Sequence, residues 1–235
     1  MRRLLIVPLF LVSLIAVDAA DTKADAAKTK KGLQDIGEFV GQWNLTADSK
    51  TTGKLVSWKE TVTVNWKFKG DDSWLAVDIK NGKDSKKDAA GELRYNPEKK
   101  QYTLKLVGAD KKETLYAGEY KKGKLVLESK DEKTKDVAKL SFNTISEGIR
   151  LNMVSETQAG GSGPFETAYK AVGNKEGESL AGGGAKKPEC IVTGGTATIA
   201  ISHGGKTYYV CCTGCRDEFT ANPQKYIDAA EKAKK

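Results

Sequence analysis

Four cysteines near the carboxyl end of the chain are the residues with the most specific chemistry. They stand at Cys190, Cys211, Cys212 and Cys215, and the long stretch before them contains none. Thiolates are strong ligands for Zn(II), Cu(I) and similar ions, so this crowding indicates one local metal site. A segment this short buries little apolar surface, and it usually needs a metal ion or disulfides to fold.

Three interpretations of these cysteines are open. In the first, Cys190, Cys211 and Cys215 hold zinc or copper, and Cys212, His203 or a water molecule completes the ligand set. In the second, two disulfides staple the segment, with three possible pairings of four cysteines. In the third, Cys212 and Cys215 form a redox pair at a helix start, although no βαβ pattern surrounds them. The spacing favours the metal site, and it favours His203 as a solvated residue of a glycine turn.

The elements that must position these cysteines follow from the local pattern. Residues 196–201 and 206–210 have the composition of two strands joined by a glycine turn, which predicts a hairpin. The second strand ends at Cys211, Gly214 breaks it, and a helix is predicted to begin at Cys215, followed by a last helix from Pro223. A hairpin that leads into a helix with a ligand in its first turn is typical of treble-clef and zinc-ribbon sites.

The same residues resemble a known family of metal-binding modules. The spacing Cys190-x20-Cys211-x3-Cys215, with GKTYYV at 205–210 and the trailing Phe219-x-x-Asn222-Pro223-x-x-Tyr226, is similar to the TRASH domain and the related YHS domain. These modules accompany heavy-metal transport, resistance and sensing proteins. The resemblance implies metal binding by the three thiolates of the pattern, with Cys212 as the doubled cysteine that many members carry.

The amino terminus predicts export. A basic start precedes an apolar run from Leu4 to Val17, and a small-x-small pattern then ends at Ala19. This apolar run is shorter than a membrane-spanning helix, which needs about 20 residues. We therefore predict a signal peptide at 1–20, a flexible leader at 21–36, a periplasmic or secreted mature protein, and no stable membrane insertion after cleavage. Free thiols are exceptional in such compartments, so the cysteines are expected to be metal-bound, disulfide-bonded or redox-cycled.

Residues 37–172 are predicted to form one antiparallel β domain. Val62, Val64, Trp66 and Phe68 alternate with polar residues, and similar short runs recur between hairpin turns, enough for eight to ten strands. This pattern predicts an up-and-down barrel or a sandwich. The opening at 39–45 (FVGQWNL) resembles the first strand of calycin-type barrels, such as lipocalins, and a family of bacterial secreted domains of unknown function.

The interior of such a barrel has two possible roles. It can hold an apolar small molecule, or it can be filled by side chains and serve as a structural module. No convergent polar or titratable set is evident in 37–172, and the segment lacks histidine. The filled interior is therefore favoured.

The predicted organisation is mainly β: a calycin-like antiparallel barrel, a glycine- and lysine-rich linker at 173–187, and a small α+β treble-clef or TRASH-like module at 188–235. The net charge of +8 comes mostly from lysine on solvated strand faces, and arginine is rare, which disfavours nucleic-acid binding. The sequence contains no evident pairing of a catalytic nucleophile with a general base, so an enzyme is not expected. The expected function is to bind, buffer or pass on zinc or copper, with an envelope metal-handling protein as partner. The alternative is a lipocalin-like carrier whose cysteine module is a disulfide-stabilised appendage.

Overall fold

The structure is a computed structural model, and it describes residues 19–51, 54–82, 84, 88–178 and 187–233. The predicted signal peptide lies almost entirely outside these residues, as does most of the predicted linker. The elements are α1 (Ala19–Asp35), β1 (Gly41–Thr51), β2 (Lys54–Lys69), β3 (Asp72–Asn81), β4 (Ala89–Asn96), β5 (Gln101–Gly108), β6 (Glu113–Lys121), β7 (Lys124–Lys130), β8 (Val137–Ile145), β9 (Arg150–Gln158), β10 (Glu166–Lys175), β11 (Ile199–His203), β12 (Lys206–Val210), α2 (Thr213–Ala221) and α3 (Pro223–Lys232), with short 3-10 turns at Gly37–Phe39 and Ala159–Gly161.

Within the described residues, β1 to β10 form a closed antiparallel barrel in which consecutive strands are neighbours and β10 pairs with β1. The predicted antiparallel barrel is thus confirmed, at the upper end of the predicted strand number. Alternation explains the closure, because each strand of a barrel points every second side chain inward. Along β2, Val62, Val64 and Trp66 are buried while the residues between them are partly exposed.

The segment predicted as a flexible leader is helical instead. Helix α1 buries Leu33, and Ile36 just beyond its end is also fully buried. The hydroxyl of Tyr102 on β5 donates a 2.7 Å hydrogen bond to the carbonyl of Gly32. The prediction weighed the charged composition of this segment and missed the two apolar side chains three positions apart, which lie on one face of a helix. The barrel supplies the surface that this face needs.

The carboxyl-terminal segment contains the predicted hairpin, with β11 and β12 paired from Ile199–Val210 to His203–Lys206. Helix α2 begins two residues earlier than predicted, at Thr213, so that Cys215 lies inside its first turn. Proline at the first position of α3 suits a helix start, as the sequence indicated.

This segment packs against the barrel wall through α2 and β2. A Cβ atom added to Gly214 would lie 1.8 Å from the carbonyl oxygen of Trp66, so the first turn of α2 rests directly on the backbone of β2. The buried side chains of the barrel and of the cysteine segment form one continuous apolar core. Among the described residues, no helix combines the length and apolar character that a membrane crossing requires.

The barrel interior is not filled, contrary to the expectation from sequence. It holds a cavity of about 310 Å³ whose lining is mostly apolar. Sequence alternation shows which side chains point inward, but it does not show whether their volumes add up to the space that ten strands enclose.

Candidate metal centre

Cys190 lies in a tight turn that precedes the hairpin. Its amide donates a 2.7 Å hydrogen bond to the carbonyl of Gly195, and the amide of Gly194 donates one of 2.7 Å to the carbonyl of Cys190. Gly194 has a φ of +72°, a conformation that glycine adopts without strain. The amide of Ile191 bonds to the carbonyl of Tyr209, which ties the turn to β12. Cys190 is 2% exposed.

The other cysteines come from the junction of β12 and α2. Cys211 and Cys212 follow the last residue of β12, and Cys215 lies in the first turn of α2. Cys212 occupies the N-cap position of this helix, and its carbonyl accepts a hydrogen bond from the amide of Arg216. All four cysteines are buried free thiols.

The Sγ atoms of Cys190, Cys211 and Cys215 lie within 4.8 Å of one another. Cys211 Sγ and Cys215 Sγ are 3.5 Å apart, well beyond the roughly 2.05 Å of a disulfide bond. Three sulfurs bound to one ion at about 2.3 Å lie about 4 Å apart, so these sulfurs need only small shifts to bind one ion. The geometry thus brings together a group of buried thiols that could hold a metal.

Cys212 and His203, the further ligand candidates from sequence, are not members of this three-sulfur group. Cys212 is buried next to it at the start of α2. His203 is exposed in the hairpin and packs edge-on against Phe219, with ring centroids 5.9 Å apart. Thr193, which the sequence analysis did not single out, is buried with its Oγ1 atom 3.5 Å from Cys211 Sγ and 3.9 Å from Cys215 Sγ.

The clustering makes the four thiols unequal as acids. Hydrogen bonds from Cys211 and then Cys215 lower the pKa of Cys190, and the same two neighbours lower the pKa of Cys212. The pKa values of Cys211 and Cys215 are raised, first by their hydrogen bonds to Cys190. Without a cation, sulfurs this close cannot all carry a negative charge, whereas a metal ion would favour the thiolate form of each ligand.

Helix α1 also contacts the Cys190 turn. Lys30 Nζ donates a 2.9 Å hydrogen bond to the carbonyl of Val192, and Gln34 Nε2 donates one of 2.6 Å to the carbonyl of Thr193. Burial lowers the pKa of Lys30, the neighbouring charge of Lys225 lowers it further, and thiolates at Cys215 and Cys190 would raise it. The roles of Lys30 and Gln34 were not predictable while residues 21–36 were expected to be a flexible leader.

A groove of about 340 Å³ leads to the cysteines. Cys211 and Cys212 line it together with Lys175, Thr63 and other barrel residues. Lys175 is half-buried over the ring of Trp43, with Nζ 5.2 Å from the ring centroid. Burial lowers its pKa, while the charges of Glu178 and then Cys211 raise it. Positive charge and an opening therefore lie on the same side of the thiol group.

Fold and site together define a β-barrel protein with a buried thiol group that could bind a metal ion. No protein-family model matches the chain, and no curated protein matches it. Thirteen chains among solved structures match it. One is the crystal structure of Rv2717c from M. tuberculosis, which is 16% identical with a TM-score of 0.45 over 62% of this chain and 97% of that chain. A similarity at this level carries no inference about the present chain.

Proposed function

We propose that this is an exported metal-binding protein that binds one soft or borderline metal ion, zinc or copper, through Cys190, Cys211 and Cys215. The observation that carries the proposal is the convergence of three buried Sγ atoms within 4.8 Å. These sulfurs come from separate segments, the turn before the hairpin, the end of β12 and the first turn of α2. Such convergence is characteristic of structural thiolate sites.

The charge around the thiols supports a metal–thiolate complex. Three thiolates around Zn(II) carry a net charge of about −1, and around Cu(I) about −2, so a buried complex needs nearby positive charge. Lys30 lies on the α1 side of the group, and Lys175 lies on the groove side. The amide groups at the start of α2 add a favourable dipole for the thiolate of Cys215.

The resemblance to TRASH and YHS domains supports the same ligand set, with Cys212 as a candidate fourth ligand. The role we propose is buffering or transfer of the ion, because thiolate ligands exchange metal with other thiolates, and the groove beside Cys211 and Cys212 offers a route. An envelope metal-handling protein is the proposed partner. The export proposal depends on the sequence of residues 1–20 alone, and the proposed function includes no enzymatic step.

The test is metal content and thiol count on one sample. The mature protein is taken from its native compartment without added chelator or reductant. We expect about one equivalent of zinc or copper per chain, and thiols that react with Ellman's reagent only after chelation. A sample with no metal and no titratable thiols contains disulfides, and it would contradict the proposal.

Variants test which cysteines bind the metal ion. C190S/C215S should lose the ion while the barrel stays folded, as measured by far-ultraviolet circular dichroism. The matched control is S202A, because Ser202 lies on the exposed face of the hairpin and outside the thiol group. If the double variant retained metal like the parent, the ligand assignment would be wrong.

A further inference from the structure

The cavity in the barrel is distinct from the thiol group. Its walls are apolar for most of their area, with side chains such as Val62, Leu104 and Met153 on opposite strands. A volume of about 310 Å³ lies at the lower end of the range for small-molecule sites, about 300–1,000 Å³. An apolar chain of moderate length is the kind of molecule that such a space accommodates.

A buried carboxylate, that of Glu60, faces this apolar space. Glu60 on β2 lines the cavity and is only 6% exposed. The hydroxyl of Tyr169 donates a hydrogen bond to Glu60 Oε1, and Trp58 Nε1 donates one of 3.1 Å to Oε2. The rings of Trp58 and Tyr169 stack with centroids 5.7 Å apart. No such polar set is evident in the sequence, because Glu60 and Tyr169 are 109 residues apart in the chain.

Among the residues that the structure describes, no cationic side chain lines the cavity beside this carboxylate. The described residues that line it include no lysine, arginine or histidine. A buried carboxylate with hydrogen bonds but without a counter-charge is costly, and a cation that enters the cavity would relieve that cost. Trp58 and Tyr169 line the cavity beside Glu60, and an aromatic ring that borders such a space attracts a cation through its π system.

We propose that the barrel cavity binds a small amphiphilic amine, with its protonated ammonium group against Glu60 and the Trp58–Tyr169 pair and its alkyl chain along the apolar wall. Each oxygen of Glu60 still has a lone pair for an N–H donor, because a carboxylate accepts more than the two bonds it receives here. A fatty acid is disfavoured, since its carboxylate would lie next to another one. This site is independent of metal binding.

The test compares three ligands with the same chain: octylammonium, 1-octanol and octanoate, titrated at pH 7 into the full mature protein by isothermal calorimetry. We expect octylammonium to bind saturably with one equivalent and roughly tenfold or more tightly than 1-octanol, and octanoate to bind most weakly. The excess of lysine over acidic residues favours the anion in non-specific binding, so a preference for the cation reports the cavity.

The variant E60Q should remove the preference for octylammonium over 1-octanol and leave the affinity for 1-octanol unchanged. E128Q is the matched control, because Glu128 is exposed on β7 and does not line the cavity. Equal binding of all three ligands, tightest binding of octanoate, or an unchanged preference in E60Q would overturn the proposal. If E60Q does not fold, the comparison of the three ligands on the wild-type protein tests the proposal by itself.

Discussion

Lys30 Nζ donates a 2.9 Å hydrogen bond to the carbonyl oxygen of Val192, although the two residues are 162 positions apart. The contact joins helix α1 to the turn that carries Cys190. The ammonium group also lies 5.7 Å from the ring centroid of Tyr226 on α3 and 5.8 Å from that of Phe68 on β2. Lys30 therefore links helix α1 to the barrel, to the Cys190 turn and to the last helix.

Substitution of Lys30 tests whether this contact matters for metal binding. K30M keeps most of the apolar stem and removes both the charge and the hydrogen bond. We expect a roughly tenfold loss of zinc affinity, because hydrogen bonds of charged groups contribute about 1.5–3 kcal/mol. Competition with a chromophoric chelator measures the loss. K31M is the control, since Lys31 is exposed and forms an ion pair with Asp35. Equal losses in both variants would contradict the role of Lys30.

Substitution of Cys212 distinguishes a metal site with three sulfur ligands from one with four. We expect C212S to keep stoichiometric metal with a modest loss of affinity, because its sulfur is outside the group of Cys190, Cys211 and Cys215. C190S should lose stoichiometric binding, since it leaves only two of the grouped sulfurs. Both are measured by chelator competition on the purified protein. If C212S lost metal as completely as C190S, Cys212 would be an equal ligand.

Gly214 tests the contact between the cysteine segment and the barrel. G214A would place a Cβ atom 1.8 Å from the carbonyl oxygen of Trp66, so α2 must move away from β2. We expect the free energy of unfolding to fall by about 1–3 kcal/mol, the usual cost of overpacking, although alanine is the better helix former. Urea denaturation measures it, and Cys215 should react faster with Ellman's reagent.

The control for that substitution is G37A. Nothing lies within 4 Å of a Cβ atom at Gly37, so its free energy of unfolding should stay within about 0.5 kcal/mol of the parent. Equal effects of the two substitutions would mean that the contact between Gly214 and Trp66 is not close in solution.

Glu60 predicts a pH dependence of stability. Burial raises the pKa of Glu60 above its ordinary value of 4.5, and the hydrogen bonds from Tyr169 and Trp58 lower it by less. The folded state then binds more protons than the unfolded state, so this group lowers the free energy of unfolding as the pH rises from 4.5 through the raised pKa. E60Q lacks the effect, and its stability relative to the wild type should therefore increase over that interval.

Urea denaturation at several pH values between 4 and 8 measures this difference. E128Q provides the baseline for loss of a carboxylate that does not face the cavity. Wild-type and E60Q curves that ran parallel over the whole range would show that Glu60 titrates as an exposed residue.

Much of the barrel was predictable because strand alternation is local. The inward face of β2 is evident from a short alternation, that of Val62, Val64 and Trp66. The hairpin turns connect each strand to the next. The leader was mispredicted for the opposite reason. Leu33 and Ile36 are only two apolar side chains, and helix α1 packs through Gly32 against Tyr95 and Tyr102 of the barrel, which lie far along the chain.

The sequence by itself determined which side chains form the candidate site. The spacing of Cys190, Cys211 and Cys215, with a hairpin and a helix between and after them, was sufficient to predict which thiols would meet, because short elements leave few ways to connect them. Only the tertiary structure decided what surrounds them. The positions of Lys30 and Lys175 beside the thiols, and of Glu60 in the barrel cavity, depend on contacts between segments remote in the chain, and no local pattern records such contacts.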